Sequence, residues 1–498
     1  MEPDGRRVRE GGPVPPPGHR RGTTRPHRGG AGRRRSRGGG GGVIAPLVEL
    51  AQRRVDGGAD ALWRRFERTT VAFEWGRLKS AATTEEAGAN LRVRHRGRVG
   101  VAGTTAVGGS DVGAQHAAPL LERALASAEL GEALELGFPG PPSTSFPTVG
   151  TFFDRAANAS LDDLIGIGRA LLARLEREGC RVNVAIERET TATRVANTAG
   201  AGGEYGGTAF GVSADVWRIA GDDVLVVSDA LEGADLPSDE ALAALVASIN
   251  TRLDHALRLV VPPEGALPVV FTPAGLSALM LPVTQALSGK AVLQGISPLG
   301  AKVGAQVFDA RLSLADDPLR VGRTASRPLD DECVPSRTVC LVERGVVQRF
   351  IYDLETAARA KTESTGHGTR GIFGKPVPGY TNIVMNETGA VTNVVGAQHA
   401  APLQLGGGLL GDIPDGLLVD ELIGVGQGNV IGGAFSHPVA LAYRIERGEI
   451  TGRVKDAAVA GNAYELWKQV AGFGNDARWT GSRWAPSVRF DGVSVARR

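Results

Sequence analysis

Apolar residues first recur at helical spacing at Val43, Ile44, Leu47, Val48, Leu50 and Ala51, and Gly57-Gly58 stands where a helix C-cap is expected. Leu91, Val93 and His95 then alternate with Arg92, Arg94 and Arg96, turn at Gly97 and resume at Val99 and Val101. This is the pattern of a half-buried hairpin, with His95 on its apolar side as a packed, hydrogen-bonded residue. Residues 120–130 return to helical spacing before a break at Pro139, Pro141 and Pro142. Ser160, with Asp162 and Asp163 behind it, predicts the start of an amphipathic helix that buries Leu161, Leu164, Ile165, Leu171, Leu172 and Leu175 and stops before Gly179. Val182, Val184 and Ile186 predict a strand, and 212–219 with 224–227 predict a hairpin around Gly221-Asp222.

After Ser238 comes the longest expected helix, with Leu242, Leu245, Val246, Ile249, Leu253, Ala256 and Leu257 on one face, ending before Pro262-Pro263. It is expected to join two halves of the molecule. Strand-like runs follow at 269–271, 339–342, 346–351 and 441–445, and two alike turns, Glu343-Arg344-Gly345 and Glu446-Arg447-Gly448, separate apolar runs. The expected organisation is α+β. It comprises a disordered Arg/Gly/Pro-rich tail over 1–42, an α/β N-terminal domain over 43–236, a connecting helix over 237–262 and a β-rich C-terminal domain, barrel-like or multi-sheet, over 263–498.

Composition narrows the picture. In 498 residues, 42% are apolar, enough for one or two large cores, while 70 Gly and 28 Pro argue against a long helical bundle. No run approaches the roughly 18 apolar residues of a membrane helix, and the start lacks the apolar stretch of a secretory signal. Cys180, Cys333 and Cys340 are too few for a disulfide framework and are expected as small buried residues of a cytoplasmic protein. The charge is uneven. Residues 1–42 hold 11 Arg against three acids, a net of +8, and the remainder is −6. Without aromatic residues to stack on bases, that tail is weak support for nucleic-acid binding, which is not expected. The segment VGAQHAAPL occurs twice, at 112–120 and 395–403, with unlike flanks and too short a unit for a repeat architecture.

Candidate chemistry is sparse. The eight histidines include no helical pair, and C-x-x-C, G-x-S-x-G and the phosphate-loop signature are all absent. The Gly-rich stretches 200–207 and 366–374 read as turns or mobile loops. His367 and Arg370 are the most distinctive residues of the second, although a loop histidine ordinarily lies at the surface. Asp316-Asp317-Pro318 and Asp330-Asp331-Glu332 read as solvated turns rather than cation ligands.

The order of longer segments says more. LRVRHRGRVGVAGTT at 91–105 is followed by ALSGKAVLQGISPLGAKVG at 286–304, DDPLR at 316–320, LDDECVPS at 329–336, LVERGVVQRFIYD at 341–353 and STGHGTR at 364–370. PGYTNIV at 378–384, DGLLVDELIG at 415–424, FSHPVALAYRIERGEI at 435–450 and AGNAYELW at 460–467 complete the series. Over residues 43–497 the chain resembles the TldD/PmbA family, also called modulators of DNA gyrase. The resemblance implies a cytoplasmic, heteromeric zinc metalloprotease acting on unstructured peptides, in which one subunit type carries the metal. The TldD-type subunit bears H-E-x-x-x-H in the helix before the segment matching 286–304, with a later Cys as third ligand and the Glu as general base.

Here that place reads LSALMLPVTQALSG, with no histidine between His255 and His367, no glutamate between Glu264 and Glu332, and no cysteine after Cys340. The chain therefore resembles the PmbA/TldE type. It is expected to hold no cofactor and no catalytic residue of its own, zinc being expected in a TldD-type partner. Residues 276–287 are expected as a packing helix interrupted by Pro282. Gly366, His367, Arg370, Asn382 and Phe435 are the candidates for peptide or partner contact at a shared chamber, where unfolded peptides could add to a sheet edge. The alternative from another class is a non-proteolytic binding or assembly protein, such as a homo-oligomeric scaffold.

Overall fold

The computed structural model describes residues 44–107, 112, 114–386 and 405–498; the expected tail and the second VGAQHAAPL copy, with His399, lie outside them. Six antiparallel strands form the first sheet in the order β3-β2-β1-β4-β5-β6: β1 (Ala59–Glu74), β2 (Arg77–His95), β3 (Arg98–Thr104), β4 (Cys180–Asn197), β5 (Gly202–Ala220) and β6 (Asp223–Gly233). Two-residue turns set the register. Trp75-Gly76 and Arg96-Gly97 both take positive φ, as the turns that match strand twist require. The expected hairpins around Gly97 and Gly221 are both present.

Helices α1 (Ala45–Arg54) and α2 (Ala114–Glu129) cover one end of this sheet, packing Leu47, Leu120 and Leu121 on Trp63, Leu91 and Val93. Helix α3 (Leu161–Leu175) starts where Ser160 and Asp163 cap each other's backbone N–H groups. Helix α4 (Asp239–Ala256), capped by Ser238, is the longest. Its Leu245, Ile249 and Leu253 share one core with Val184, Val212 and Val216 of the first sheet and with Val270, Leu418, Leu441 and Tyr443 of the second half. Tyr443 donates its hydroxyl to the carbonyl of Arg252, 3.0 Å away, at the C-terminal end of the same helix.

The second half is built on β7 (Gly265–Phe271), β8 (Asp415–Leu422), β9 (Ala434–Glu446), β10 (Ala457–Asn462) and β11 (Val488–Arg497). They pair in the order β8-β7-β11-β10-β9, and β9 pairs back onto β8, closing a barrel in which only β7 and β8 run parallel. Helix α5 (Ser277–Ala286) buries Leu279, Met280 and Val283 against Phe271, Val419, Trp467 and Phe490. A smaller mixed sheet pairs Leu314–Asp316 with Ile383–Met385, which pairs with Arg483–Ala485 and through it with Arg478–Thr480.

Several expectations need correction. Residues 202–207 are the start of β5 rather than a loop, because strand pairing with β4 holds them despite their glycines. Helix α5 is not interrupted at Pro282: it runs through, and the buried carbonyls near the missing N–H bond elsewhere, with Trp467 Nε1 donating to Leu279 and Tyr464 Oη to Pro282. The expected strand over 346–351 shrinks to Val346–Val347. Of the cysteines only Cys333 is buried, and Cys340 is exposed. The His95 ring is only half-buried, beside Asp56 at 3.4 Å. Among the described residues no helix is long and apolar enough to cross a membrane.

Candidate functional site

Two polar constellations lie where the first sheet meets the second half. The first is buried except at Arg64, which is partly exposed. Arg92 on β2 donates from Nε to Asp60 on β1 at 3.1 Å and from Nη1 to Glu332 at 2.6 Å. Arg370 donates from Nη1 to the same Asp60 carboxylate at 2.9 Å and to Asn90 Oδ1 at 3.1 Å, and its backbone N–H bonds Asp331 at 2.9 Å. Asp331 also accepts from Arg64 on β1 at 2.8 Å. Asp330 is held by the backbone N–H groups of Glu332, Val334 and Gly368. Burial, with Asp330, Asp353 and Asp60 nearby, pushes the Glu332 carboxyl up to about 8 against the pull of Arg92. Cys333 sits in the middle at φ 67°, a left-handed conformation unusual for cysteine.

These acids were expected to be solvated, and the structure corrects that: Asp316, Asp317, Asp330, Asp331 and Glu332 are at most 2% exposed. The physical reason is their partners. His367, also expected at the surface, is buried, with Nε2 3.0 Å from Asp316 Oδ2 and Nδ1 3.0 Å from the carbonyl of Thr365. Asn382 donates to the carbonyl of Asp317 at 2.8 Å and to Ser326 Oγ at 2.9 Å. Gly366, His367, Arg370 and Asn382 are thus brought together as the packed frame of the junction, without an exposed face for a peptide. Phe435 lies apart on β9, half-buried and stacked on His437 at 6.1 Å.

The second constellation is open. A cleft of about 390 Å³ is lined by β5 and β6, by Arg252 on α4, by the residues leading into α5, and by Asp420, Arg323 and Trp479. Its floor is a balanced set of charges. Arg252 reaches Asp420 at 2.7 Å and Asp229 at 3.1 Å, and Arg478 reaches Asp229 at 3.0 Å. Burial works to raise the Asp229 carboxyl, but the two guanidiniums outweigh it and hold it down at about 2. Gly275, at the cleft wall, has no room for a side chain: a Cβ there would stand 2.4 Å from the carbonyl oxygen of Val419. Sequence reading missed this cleft. Its residues are spread from 213 to 481, and no local motif joins them.

Among the described residues, no group of three or more His, Cys, Asp or Glu side chains is arranged to hold a metal ion. Helix α5 enters from the cleft at Ser277 and offers Ala278, Leu279, Met280, Leu281, Pro282 and Val283, mostly buried. That donor set does not fit zinc, which takes imidazole, thiolate or carboxylate.

With this geometry in hand, the comparisons with known proteins converge. Residues 264–497 match the family model described as the PmbA/TldA metallopeptidase C-terminal domain. The metalloprotease TldD homolog of Haemophilus influenzae is 26% identical over 294 residues, covering 58% of this chain and 53% of that protein. The metalloprotease PmbA of Escherichia coli O157:H7 is 24% identical over 229 residues, 46% of this chain and 45% of that one. The chain spans about half the length of the curated relatives it matches. The crystal structure of TldE from Thermococcus kodakarensis superposes with a TM-score of 0.79 at 23% identity, covering 91% of this chain and 99% of that one, so the two share a fold. An α+β chain whose barrel carries a metallopeptidase-type domain is the class these features define. The family-model match, the curated relatives and the shared fold together support the TldD/PmbA family for this chain.

Proposed function

We propose that this chain is the PmbA/TldE-like subunit of a TldD/TldE-type zinc metalloprotease acting on unstructured peptides, a subunit that holds no metal and shapes the chamber in which a TldD-type partner cuts. The observation that carries this reading is helix α5. It stands before the segment 286–304, where the resemblance puts the catalytic motif, and it presents only Ser, Ala, Leu, Met, Pro, Val, Thr and Gln. No residue there can ligate zinc or act as a general base at a bound water. Family membership supports peptidase chemistry at the level of the assembly, and the open cleft beside α5 supplies a surface beside the chamber. Substrate exclusion would come from closure of two such subunits around an extended chain.

The test is reconstitution. The chain and a TldD-type subunit from the same genome are purified separately, mixed, and followed by size-exclusion chromatography and cleavage of an unfolded polypeptide. A joint peak with cleavage well above that of either subunit alone is expected. Separate elution, with cleavage unchanged by adding this chain, would refute the proposal.

A further inference from the structure

Arg323 in the cleft is a buried cation short of an anion. It is 3% exposed, lies 4.2 Å over the Trp479 ring, and gives one N–H from Nη1 to the carbonyl of Glu232 and one from Nη2 to the carbonyl of Gly481, both at 2.7 Å. Neither acceptor bears a charge, and Nε has no partner. Of the five N–H groups of a guanidinium, three are unused. Burial pulls its pKa down to about 10, with Glu232 opposing only through space. Arg252 and Arg478, the other guanidiniums of the cleft, each have carboxylates. A second orphan lines the same wall: the Thr480 hydroxyl is buried and bonds nothing.

A desolvated guanidinium and a free hydroxyl, backed by an indole face and opening on a cleft of this volume, make a seat for a planar anion with two acceptor oxygens. We propose that the cleft binds a carboxylate group of the peptide, seated on Arg323 and Thr480 beside Trp479. The proposal rests on the peptide-handling reading above and adds the chemical feature recognised. Two sources share that chemistry, the peptide's C-terminus and an Asp or Glu side chain. Glu232, exposed at the rim and unpaired, is the internal competitor for Arg323.

The test uses the full chain alone and fluorescence anisotropy with a labelled, unfolded peptide that has a free C-terminus and one internal Glu. Two further forms are compared, one amidated at the C-terminus and one with that Glu changed to Gln. Loss of a charge-assisted pair predicts that the form lacking the recognised carboxylate binds at least about tenfold more weakly, and which form weakens identifies the source. Arg323→Gln, folded by circular dichroism, is expected to bind all three alike, and Glu232→Gln to bind the acid form more tightly. Should Arg323→Gln not fold, Thr480→Val is expected to narrow the discrimination several-fold. Equal binding of all three peptides by the unaltered chain overturns the carboxylate proposal and leaves the peptide reading standing. Failure to bind any of the three overturns both.

Discussion

Asp60 shows how closely single residues in this protein depend on one another. Its carboxylate is completely buried and shared between Arg92 and Arg370, and Arg92 also holds Glu332. Removing one charge from such a group strands its neighbours without water, which costs about 3–5 kcal/mol. Arg92→Leu is therefore expected to lower the denaturation free energy by about that much in urea titrations. A loss below about 1 kcal/mol would contradict the network as drawn. In the cleft, the sign of the pH dependence follows from Asp229. Its carboxyl is held at about 2 against an ordinary 3.8, so the unfolded chain binds its proton first as the medium acidifies. Its contribution, about 2 kcal/mol, is complete above pH 4 and is lost as pH falls through 2. Asp229→Asn should flatten the stability profile across that window and leave the shape above pH 5 unchanged. None of this was legible in sequence. Arg92 and Glu332 are 240 positions apart, and a run such as Asp330-Asp331-Glu332 looks solvated until the guanidiniums that enclose it are known.

At the scale of elements, local rules carried most of the reading. Ser160 and Ser238 cap helices because a side-chain oxygen there meets a free backbone N–H, and Arg344-Gly345 and Arg447-Gly448 turn with positive φ as their Gly suggested. Ser160→Ala is expected to cost about 1 kcal/mol, read from the shift in denaturation midpoint. What the pattern could not show is structure held by pairing alone. Residues 77–86 of β2 are exposed on both faces and show no apolar alternation, yet they continue the ladder with β1, with one register shift beside Lys79. Helix α5 is the opposite case, so apolar and so fully packed that Pro282 does not break it. Its approach to the barrel is set by Gly275. Gly275→Ala would force a Cβ into the Val419 carbonyl, and the expected cost is about 1–3 kcal/mol, with the melting temperature as readout.

Over the whole molecule, helix α4 decides how the halves behave. One hydrophobic core takes in the first sheet, α3, α4 and the outer face of the barrel, so both halves are expected to unfold in a single transition. Leu253→Ala, at its centre, should lower that transition as one event, by about 2–5 kcal/mol; two separated transitions in calorimetry would show that the halves are independent. The mixed character and the β-rich second half were readable from periodicity. The choice between a barrel and separate sheets stayed open in the sequence, because closure depends on pairings such as Val269 with Phe490 that no window along the chain contains. The cleft draws its lining from both halves, from Ser213 to Gly481, which is why it escaped notice while Arg370 and Asn382, each within a short motif, did not. Whether the proposed subunit lacks a catalytic metal, as the side chains of α5 lead one to expect, is tested by the zinc content of the purified chain by plasma mass spectrometry, with peptide cleavage assayed on the same sample. Substoichiometric zinc and no cleavage by the chain alone are expected, with cleavage appearing when a TldD-type subunit is added. One zinc per chain accompanied by cleavage without a partner would contradict the proposal.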